Sequence, residues 1–310
     1  MKTSLICTVL NEEKTIKNLL NSIASQTKNP DEIIIIDGGS TDKTIDIIKK
    51  ESRKFKNFIL LSKKGNRAIG RNEAIKKSSG NIILCTDAGC TLEKNWVKNI
   101  TQPFKNKKID VIAGYYKGIA KNTFQKCLIP YVLVMPDKVN PKTFLPASRS
   151  MAFKKSIWKK QKGFNEKLSH NEDYDFAKGL KKINAKIAFQ KDAIVYWIPR
   201  DNIRQSFYMF FRFAYGDAEA QIFRPNVLLL FARYIIALLL IIFYLINRSP
   251  IILDSLFLIL ILYILWSVKK NYKYIKNKSA YYILPAIQLT ADVAVIAGTM
   301  AGVIKVASRL

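Results

Sequence analysis

The segment EIIIIDGGSTDKT (Glu32 to Thr44) joins four consecutive isoleucines to Asp37 and a Gly-Gly-Ser turn. An unbroken run of β-branched residues is typical of a strand buried on both faces. Similar short runs recur along the first 115 residues: SLICTVL (4–10), FILL (58–61), NIILCTD (81–87) and IDVIAG (109–114). Together they predict five strands of one buried sheet.

Helical patterns lie between these strands. EEKTIKNLLNSIASQ (12–26) places Ile16, Leu19, Leu20 and Ile23 at helical spacing, and NRAIGRNEAIKKSS (66–79) repeats the pattern. Strands that alternate with helices favour crossover connections and parallel pairing. We therefore predict an α/β fold with a mostly parallel, Rossmann-like sheet, followed by a helical membrane region.

Polar residues follow three of the predicted strands. Asn11 and Glu12 come after the first strand, Asp37 ends the second and Asp87 ends NIILCTD. In open α/β sheets, ligands bind beyond the carboxyl ends of the strands. The glycine-rich phosphate motifs G-x-x-x-x-G-K-[ST] and G-x-G-x-x-G are absent from the sequence. A divalent ion held by carboxylates, Mg²⁺ or Mn²⁺, is an alternative way to bind phosphate.

The chain is strongly basic. Its 51 Lys and Arg against 23 Asp and Glu give a formal charge of +28, which favours phosphorylated substrates or anionic membrane surfaces. No nucleic-acid-binding motif is present, so we expect no nucleic acid partner. The four cysteines lack metal-ligand or disulfide spacing.

From Asn226 onward the sequence becomes apolar. The segments 227–246 and 251–268 are long enough to cross a bilayer and contain only Arg233 and Asp254 as charged residues. A third segment, 282–304, contains Pro285, Asp292 and the pair Gly298-x-x-x-Gly302. For this segment four alternatives stay open: it spans the membrane, packs against the other two segments, re-enters, or is a soluble core helix.

Charge asymmetry predicts the membrane topology. The loop KKNYKYIKNKS (269–279) holds five lysines, which favours the cytoplasmic side. The segment 200–225 mixes aromatic residues with arginines and is typical of an interfacial amphipathic helix. We expect a domain at 1–199, an interfacial region at 200–225, and membrane helices within 226–310. The protein would then be a multi-pass protein of the cell membrane with its first domain on the cytoplasmic side.

Four ordered blocks carry a family resemblance. They are TVLNEE (8–13), IIIIDGGSTDKT (33–44), GRNEAIKKSSGNIILCTDAGC (70–90) and GFNEKLSHNEDYDFAKGL (163–180). In these blocks the sequence resembles the family 2 glycosyltransferases, in their membrane-associated subgroup. The resemblance implies the GT-A nucleotide-sugar fold over roughly the first 200 residues.

The resemblance also implies roles for individual residues. The family's nucleotide-binding positions correspond to Thr8, Asn11, Glu12 and Asp37. Its metal motif, Asp-x-Asp, is reduced here to Asp87, followed by Ala88 and Gly89. We expect Mg²⁺ or Mn²⁺ at Asp87, with water and diphosphate completing the coordination shell. The alternative is that another acid, such as Glu93, assists Asp87.

The remaining candidates concern the reaction itself. Asp173 matches the family's catalytic base, and Glu172 precedes it. Arg71, with Arg67 or Arg149, would supply positive charge to the departing diphosphate, and Arg149 would lie on the acceptor side. Asp173 also has a purely structural interpretation, as a first-turn residue of a helix capped by Asn171.

The leading hypothesis is a membrane-anchored glycosyltransferase. It would move a sugar from a nucleoside-diphosphate sugar to a lipid-linked or polysaccharide acceptor, with inversion and with a divalent metal. A sugar-phosphate nucleotidyltransferase is an alternative, although TVLNEE lacks the Gly-rich, Arg-containing loop expected of that class. A non-enzymatic basic protein that binds membranes or nucleic acid is another.

Overall fold

A computed structural model describes residues 1–222 and 224–308. The chain divides into two compact units. The first unit comprises residues 1–119 and 133–198, and the second comprises residues 120–132 and 199–310. Residues 120–132 thus group with the C-terminal helices, although they lie inside the 1–199 segment that we expected to form one domain.

The first unit is built on an eight-stranded sheet. Its strands, in chain order, are β1 (Thr3–Val9), β2 (Glu32–Asp37), β3 (Phe58–Ser62), β4 (Ile82–Cys85), β5 (Cys90–Leu92), β6 (Val111–Gly118), β7 (Met151–Lys154) and β8 (Ile187–Trp197). The spatial order is β3-β2-β1-β4-β7-β6-β8-β5. The pairs β1–β2, β1–β4, β2–β3 and β6–β8 are parallel, whereas β7 runs antiparallel to both neighbours and β5 runs antiparallel to β8.

The five predicted strands correspond to β1, β2, β3, β4 and β6. The isoleucines of β2 are at most 3% exposed, as expected for a strand covered on both faces. Because β2, β1 and β4 are parallel neighbours, the residues after them meet at one edge of the sheet. The predicted α/β class is therefore confirmed.

Helices of the first unit connect the strands. They are α1 (Ile16–Ala24), α2 (Thr44–Ser52), α3 (Arg67–Lys77), α4 (Trp96–Thr101), α6 (Lys155–Lys160) and α7 (Glu172–Lys182), and α5 (Thr123–Val132) lies in the second unit. Both predicted helical patterns are confirmed by α1 and α3. Helix α3 begins where Asn66 Oδ1 accepts the Ile69 amide at 3.0 Å.

The second unit is helical. After α5 it contains α8 (Ile203–Glu219), α9 (Pro225–Asn247), α10 (Pro250–Ile275) and α11 (Ala280–Ala307). Helices α9, α10 and α11 are each long and apolar enough to cross a membrane. Their burial differs. In the most apolar 18-residue stretch of each helix, 0% of the residues of α9, 6% of those of α10 and 39% of those of α11 are buried.

Candidate active site

The loops after β1 and β2 are tied together by hydrogen bonds. The Asn11 amide donates to Ser40 Oγ at 2.9 Å, and Asn11 Oδ1 accepts the Thr41 amide at 2.9 Å. Asp37, only 1% exposed, accepts the Gly39 amide at 2.9 Å and the Ser40 amide at 3.1 Å. The Asp37 carboxylate therefore shapes the turn that follows β2, and Asn11 fixes that turn to the end of β1.

Thr8 and Glu12 lie on the same edge of the sheet. The Glu12 amide donates to Thr44 Oγ1 at 2.7 Å, which links the first loop to the start of α2. A Cβ atom at Gly70 would lie 2.7 Å from Thr8 Cγ2. Only glycine permits so close an approach of α3 to β1, and this approach carries the neighbouring Arg71 into the site.

Arg71 forms the buried centre of the site. The residue is 1% exposed, and its Nη2 donates to Asp87 Oδ1 at 2.9 Å. Its Nη1 donates to Glu172 Oε1, at the first residue of α7. Arg71 thus connects the acid that follows β4 to the start of α7 through two charge-assisted hydrogen bonds.

Asp87 and Asp173 converge on a single hydroxyl group. Ser148 Oγ lies 3.2 Å from Asp87 Oδ2 and 3.1 Å from Asp173 Oδ2. The Ser148 amide also donates to Asp173 Oδ2 at 3.1 Å, and the Tyr174 amide donates to Asp173 Oδ1 at 2.9 Å. A serine hydroxyl carries one proton, so it donates to one of the two carboxylates at a time.

The charges around Asp87 keep its carboxylate ionised. Burial raises the pKa of Asp87, but Arg71, Arg149 and Arg67 together lower it, and the net pKa lies below the ordinary value. Burial likewise lowers the pKa of Arg71, and Glu172 and Asp87 outweigh that effect and raise it well above the ordinary value. Both members of this ion pair are therefore charged at neutral pH.

Arg149 lies between two aromatic rings. Its guanidinium carbon is 5.2 Å from the Trp197 ring centroid and 5.8 Å from that of Tyr116. Its carbonyl accepts Thr86 Oγ1 at 3.0 Å, which holds the loop beside the end of β4. Cation–π contacts of this kind hold a guanidinium in place without neutralising its charge.

Among the candidate residues of this site, Asp87 is the carboxylate that could hold a divalent cation. Among the described residues, no group of three or more His, Cys, Asp or Glu side chains could hold a metal ion. The Asp87 side chain is 33% exposed, offers a hard oxygen, and has a lowered pKa. One carboxylate suits Mg²⁺ or Mn²⁺ when substrate phosphates and water provide the remaining ligands.

Helix α7 begins at Glu172, as the sequence predicted, with Glu172, Asp173 and Asp175 in its first turn. The capping expectation for Asn171 is wrong in its detail. Asn171 occupies the N-cap position in a left-handed conformation, φ 57°, and its side chain makes no capping hydrogen bond. The first-turn acids instead make specific contacts, because Glu172 pairs with Arg71 and Asp173 contacts Ser148.

Three residues of this site were not predicted from the sequence. Ser148 joins the two acids, and Tyr116 and Trp197 flank Arg149. Ser148 lies in the segment FLPASRSMAF (144–153), directly before Arg149, so its position beside a candidate phosphate contact was the available signal. Nothing in the local sequence distinguishes Tyr116 and Trp197 from core aromatics.

Comparison with known proteins identifies related sequences. The model of the family described as glycosyl transferase family 2 matches residues 4–163. The poly(ribitol-phosphate) beta-glucosyltransferase of Bacillus spizizenii is 28% identical over 206 residues, which cover 64% of this chain and 32% of that protein. The O-antigen chain rhamnosyltransferase RfbN of Salmonella typhimurium is 25% identical, over 67% of this chain and 71% of its own. The chain therefore spans about a third of the first relative and most of the second.

Solved structures share the fold. Staphylococcus aureus TarS 1-349 in complex with UDP aligns with a TM-score of 0.51 and 25% identity, over 69% of this chain and 64% of that chain. The mannosyltransferase PcManGT from Pyrobaculum calidifontis, in complex with GDP-Man and Mn²⁺, aligns with a TM-score of 0.62 and 16% identity, over 98% and 87%. The second likeness shows the fold alone. Since the family model covers more than half of the chain, the chain belongs to glycosyl transferase family 2 and has the GT-A fold of that family.

Proposed function

We propose that this glycosyltransferase moves a sugar from a nucleoside-diphosphate sugar to a lipid-linked or polysaccharide acceptor at the cytoplasmic face of a membrane. The observation that carries the proposal is the junction at Ser148, where Asp87 and Asp173 approach one hydroxyl from two elements of the fold. One acid lies beside cationic groups that suit a phosphate, and the other lies at the start of a helix. This arrangement supplies the two functions that the transfer requires.

The donor side comprises the loops after β1, β2 and β4. Thr8, Asn11, Glu12 and Asp37 would contact the nucleoside, as their positions at the carboxyl edge of the sheet suggest. Because Asp37 already accepts two backbone amides, we assign to it the shape of the nucleotide loop as well as any direct contact. The structure of Staphylococcus aureus TarS 1-349 was solved in complex with UDP, which supports a nucleoside diphosphate here but does not select the base.

Asp87 would hold Mg²⁺ or Mn²⁺ together with the diphosphate of the donor. When bound, such an ion acts as a Lewis acid toward the leaving group. Arg71 keeps Asp87 ionised and oriented, whereas Arg149 and Arg67 add positive charge near the diphosphate. Because both ends of the Arg71 guanidinium are engaged by acids, Arg71 acts as a positioning residue in this proposal.

Asp173 would remove the proton from the attacking hydroxyl. Its Oδ2 is held by the Ser148 amide, and its position on the first turn of α7 makes the carboxylate rigid. Attack from the face opposite the diphosphate forms the new glycosidic bond as the bond to the diphosphate breaks. The proton passes to Asp173, and the configuration at the anomeric carbon inverts, since no enzyme nucleophile intervenes.

The acceptor class follows from charge and membrane association. The relatives are named for poly(ribitol-phosphate) and O-antigen chains, which are polymeric acceptors. The net charge of +28 and three apolar helices favour a substrate presented at an anionic membrane surface. Arg149 would contact a phosphate on the acceptor side.

Nucleotide release tests this proposal. The purified full chain in lipid nanodiscs would be supplied with a panel of UDP and GDP sugars, Mg²⁺ or Mn²⁺, and a membrane lipid extract. We expect release of one nucleoside diphosphate together with a labelled lipid or polymer, and loss of both in Asp87→Asn. Asp175→Asn is the control, because it removes one acid from the first turn of α7, two positions from Asp173, and leaves Asp87 unchanged. Pyrophosphate release from a nucleoside triphosphate would instead favour a nucleotidyltransferase.

A further inference from the structure

The three long apolar helices of the second unit do not have equivalent surroundings. Helices α9 and α10 are joined by only Arg248 and Ser249. They form an antiparallel hairpin, since the Arg233 guanidinium carbon of α9 lies 5.3 Å from the Tyr263 ring centroid of α10. In a hairpin whose two helices both cross a membrane, the start of α9 and the end of α10 lie on the same side. The residues near Pro225 and near Ile275 therefore share one side of the bilayer.

The first end of α11 lies beside the end of α10. The rings of Tyr272 and Tyr281 stack with centroids 5.0 Å apart, and only four residues separate the two helices. The second end of α11 is reached through α8. A Cβ atom at Gly302 would lie 2.7 Å from both the Tyr215 carbonyl and Ala218 Cβ. The C-terminal turns of α8 and α11 are thus in direct contact.

The end of α8 is in turn tied to the start of α9. Arg224, the residue before α9, pairs with Asp217 of α8, with Nη2 donating to Oδ1 at 3.0 Å. A chain of contacts therefore links Gly302 to Ala218 and Asp217, and these to Arg224. It follows that residue 302 lies on the same side of the hairpin as the start of α9, and hence on the same side as residue 281.

Helix α11 is about 42 Å long at 1.5 Å per residue, yet both of its ends lie on one side of the hairpin. We infer that α11 does not cross the membrane. Helices α9 and α10 are the two crossings, and α11 lies with α8 within one leaflet. The C-terminal end of α11 then returns to the side from which the chain enters.

Packing within the second unit agrees with this arrangement. Helix α11 packs chiefly against α8 through the small-residue pair, where a side chain at Gly298 would collide with the Phe211 carbonyl. The midpoint of α11 meets the hairpin at Asp292, which pairs with Arg233 and accepts the Tyr263 hydroxyl at 2.9 Å. This polar junction satisfies charged groups at the place where the hairpin passes α11.

One face of α11 is apolar and exposed, and its composition suits contact with lipid acyl chains. One stripe of apolar side chains runs along the helix and is between 45% and 69% exposed: Tyr282, Leu289, Val293, Met300, Val303 and Ile304. The hairpin in the same unit is apolar enough to cross a bilayer, so the acyl chains of one leaflet are available to this stripe. The charge distribution agrees with this topology. Lys305 and the five lysines of 269–279 then lie on the same side of the bilayer, opposite the short 248–249 link.

Cysteine accessibility tests this topology in the full chain. The four native cysteines are buried. Asn247→Cys at the hairpin tip, Ser308→Cys after α11 and Lys107→Cys in the first unit would each be exposed to a membrane-impermeant maleimide in intact cells and after lysis. We expect Asn247→Cys to react in intact cells, and the other two only after lysis. Reaction of Ser308→Cys in intact cells, or protection of Asn247→Cys until lysis, would overturn the inference.

Depth measurement tests the leaflet contact independently. A fluorophore attached at Met300→Cys in nanodiscs should be strongly quenched by a nitroxide on the lipid acyl chain, whereas the same fluorophore at Lys278→Cys, in the exposed lysine-rich loop of the same unit, should be quenched only weakly. Equal, weak quenching at both positions would overturn the placement of α11 in the leaflet. Neither readout depends on sugar transfer, so these results are separable from the proposed activity.

Discussion

Arg71 Nη2 donates to Asp87 Oδ1 at 2.9 Å, and this contact helps to keep the Asp87 carboxylate ionised. The partner atoms come from α3 and from the residue that follows β4. Since the other end of the guanidinium pairs with Glu172, the same side chain also fixes the start of α7. One buried cation therefore connects Asp87, on the proposed donor side, to the start of α7, on the proposed acceptor side.

The lowered pKa of Asp87 has a defined effect on stability. A carboxyl whose pKa is lower in the folded state stabilises the protein above its unfolded pKa, about 3.9, and this contribution disappears as pH falls through the folded value. We expect Asp87→Asn to lower the melting temperature in detergent by a constant amount between about pH 6 and pH 8, where the native carboxylate stays ionised. The difference should shrink at about pH 3.5 and below. An undiminished difference at acidic pH would contradict the ion-pair explanation.

Removal of Arg71 should destabilise the first unit strongly. Arg71→Met leaves Asp87 and Glu172 facing each other without their shared cation, and breaking one partner of a buried pair costs about 3 to 5 kcal/mol. Arg67→Met removes a cation of similar size from an exposed position and serves as the control. Denaturant unfolding followed by tryptophan fluorescence would measure both. Equal stability of the two variants would show that the buried pair contributes little.

Ser148→Ala should slow turnover without preventing donor binding. The variant removes the hydroxyl between Asp87 and Asp173 but retains the backbone amide that contacts Asp173. Loss of one hydrogen bond to a charged group is worth about 1.5 kcal/mol, which corresponds to a roughly tenfold lower kcat. Steady-state kinetics would show this, and Ser148→Thr, which keeps the hydroxyl, should recover most of the rate. A KM effect with unchanged kcat would argue against a role in positioning the acids.

Gly298→Leu should disrupt the pairing of α8 with α11. A Cβ atom at this position would clash with the backbone carbonyl oxygen of Phe211. Because that oxygen belongs to the backbone of α8, it cannot rotate away as the end of a side chain could. Overpacking of this kind costs about 1 to 3 kcal/mol. Val303→Leu, on the exposed stripe of the same helix, should have little effect. Melting temperatures in detergent would compare the two, and equal values would show that the close contact at Gly298 does not stabilise the second unit.

Local hydrophobic pattern accounts for the parts of the fold that sequence reasoning predicted. The uninterrupted apolar runs of β1, β2 and β4 are recognisable without knowledge of their neighbours. Strand β8 was not predicted because Lys191 and Asp192 interrupt it, at the place where its register with β6 shifts. Strand β5 has only three residues, which is too short for periodicity to indicate.

The candidate site shows the same division between local and distant information. Each acid was identifiable from its motif, since Asp87 ends an apolar run and Asp173 opens a helix. The contacts that organise these acids join residues far apart in the chain. Arg71 and Glu172 are 101 positions apart, and Ser148 lies 61 positions from Asp87. Spacing in one sequence carries no information about such pairs.

Single-turnover transfer by Asp173→Asn tests the central claim, that Asp173 is the base that accepts the acceptor proton. Its neighbour Asp175 provides the matched control, because Asp175→Asn removes the same charge from the same helix turn without altering the contact to Ser148. We predict that Asp173→Asn binds the donor with unchanged affinity but transfers the sugar about 10² to 10⁴ times more slowly, whereas Asp175→Asn retains wild-type transfer. Transfer by Asp173→Asn at the wild-type rate would contradict the assignment.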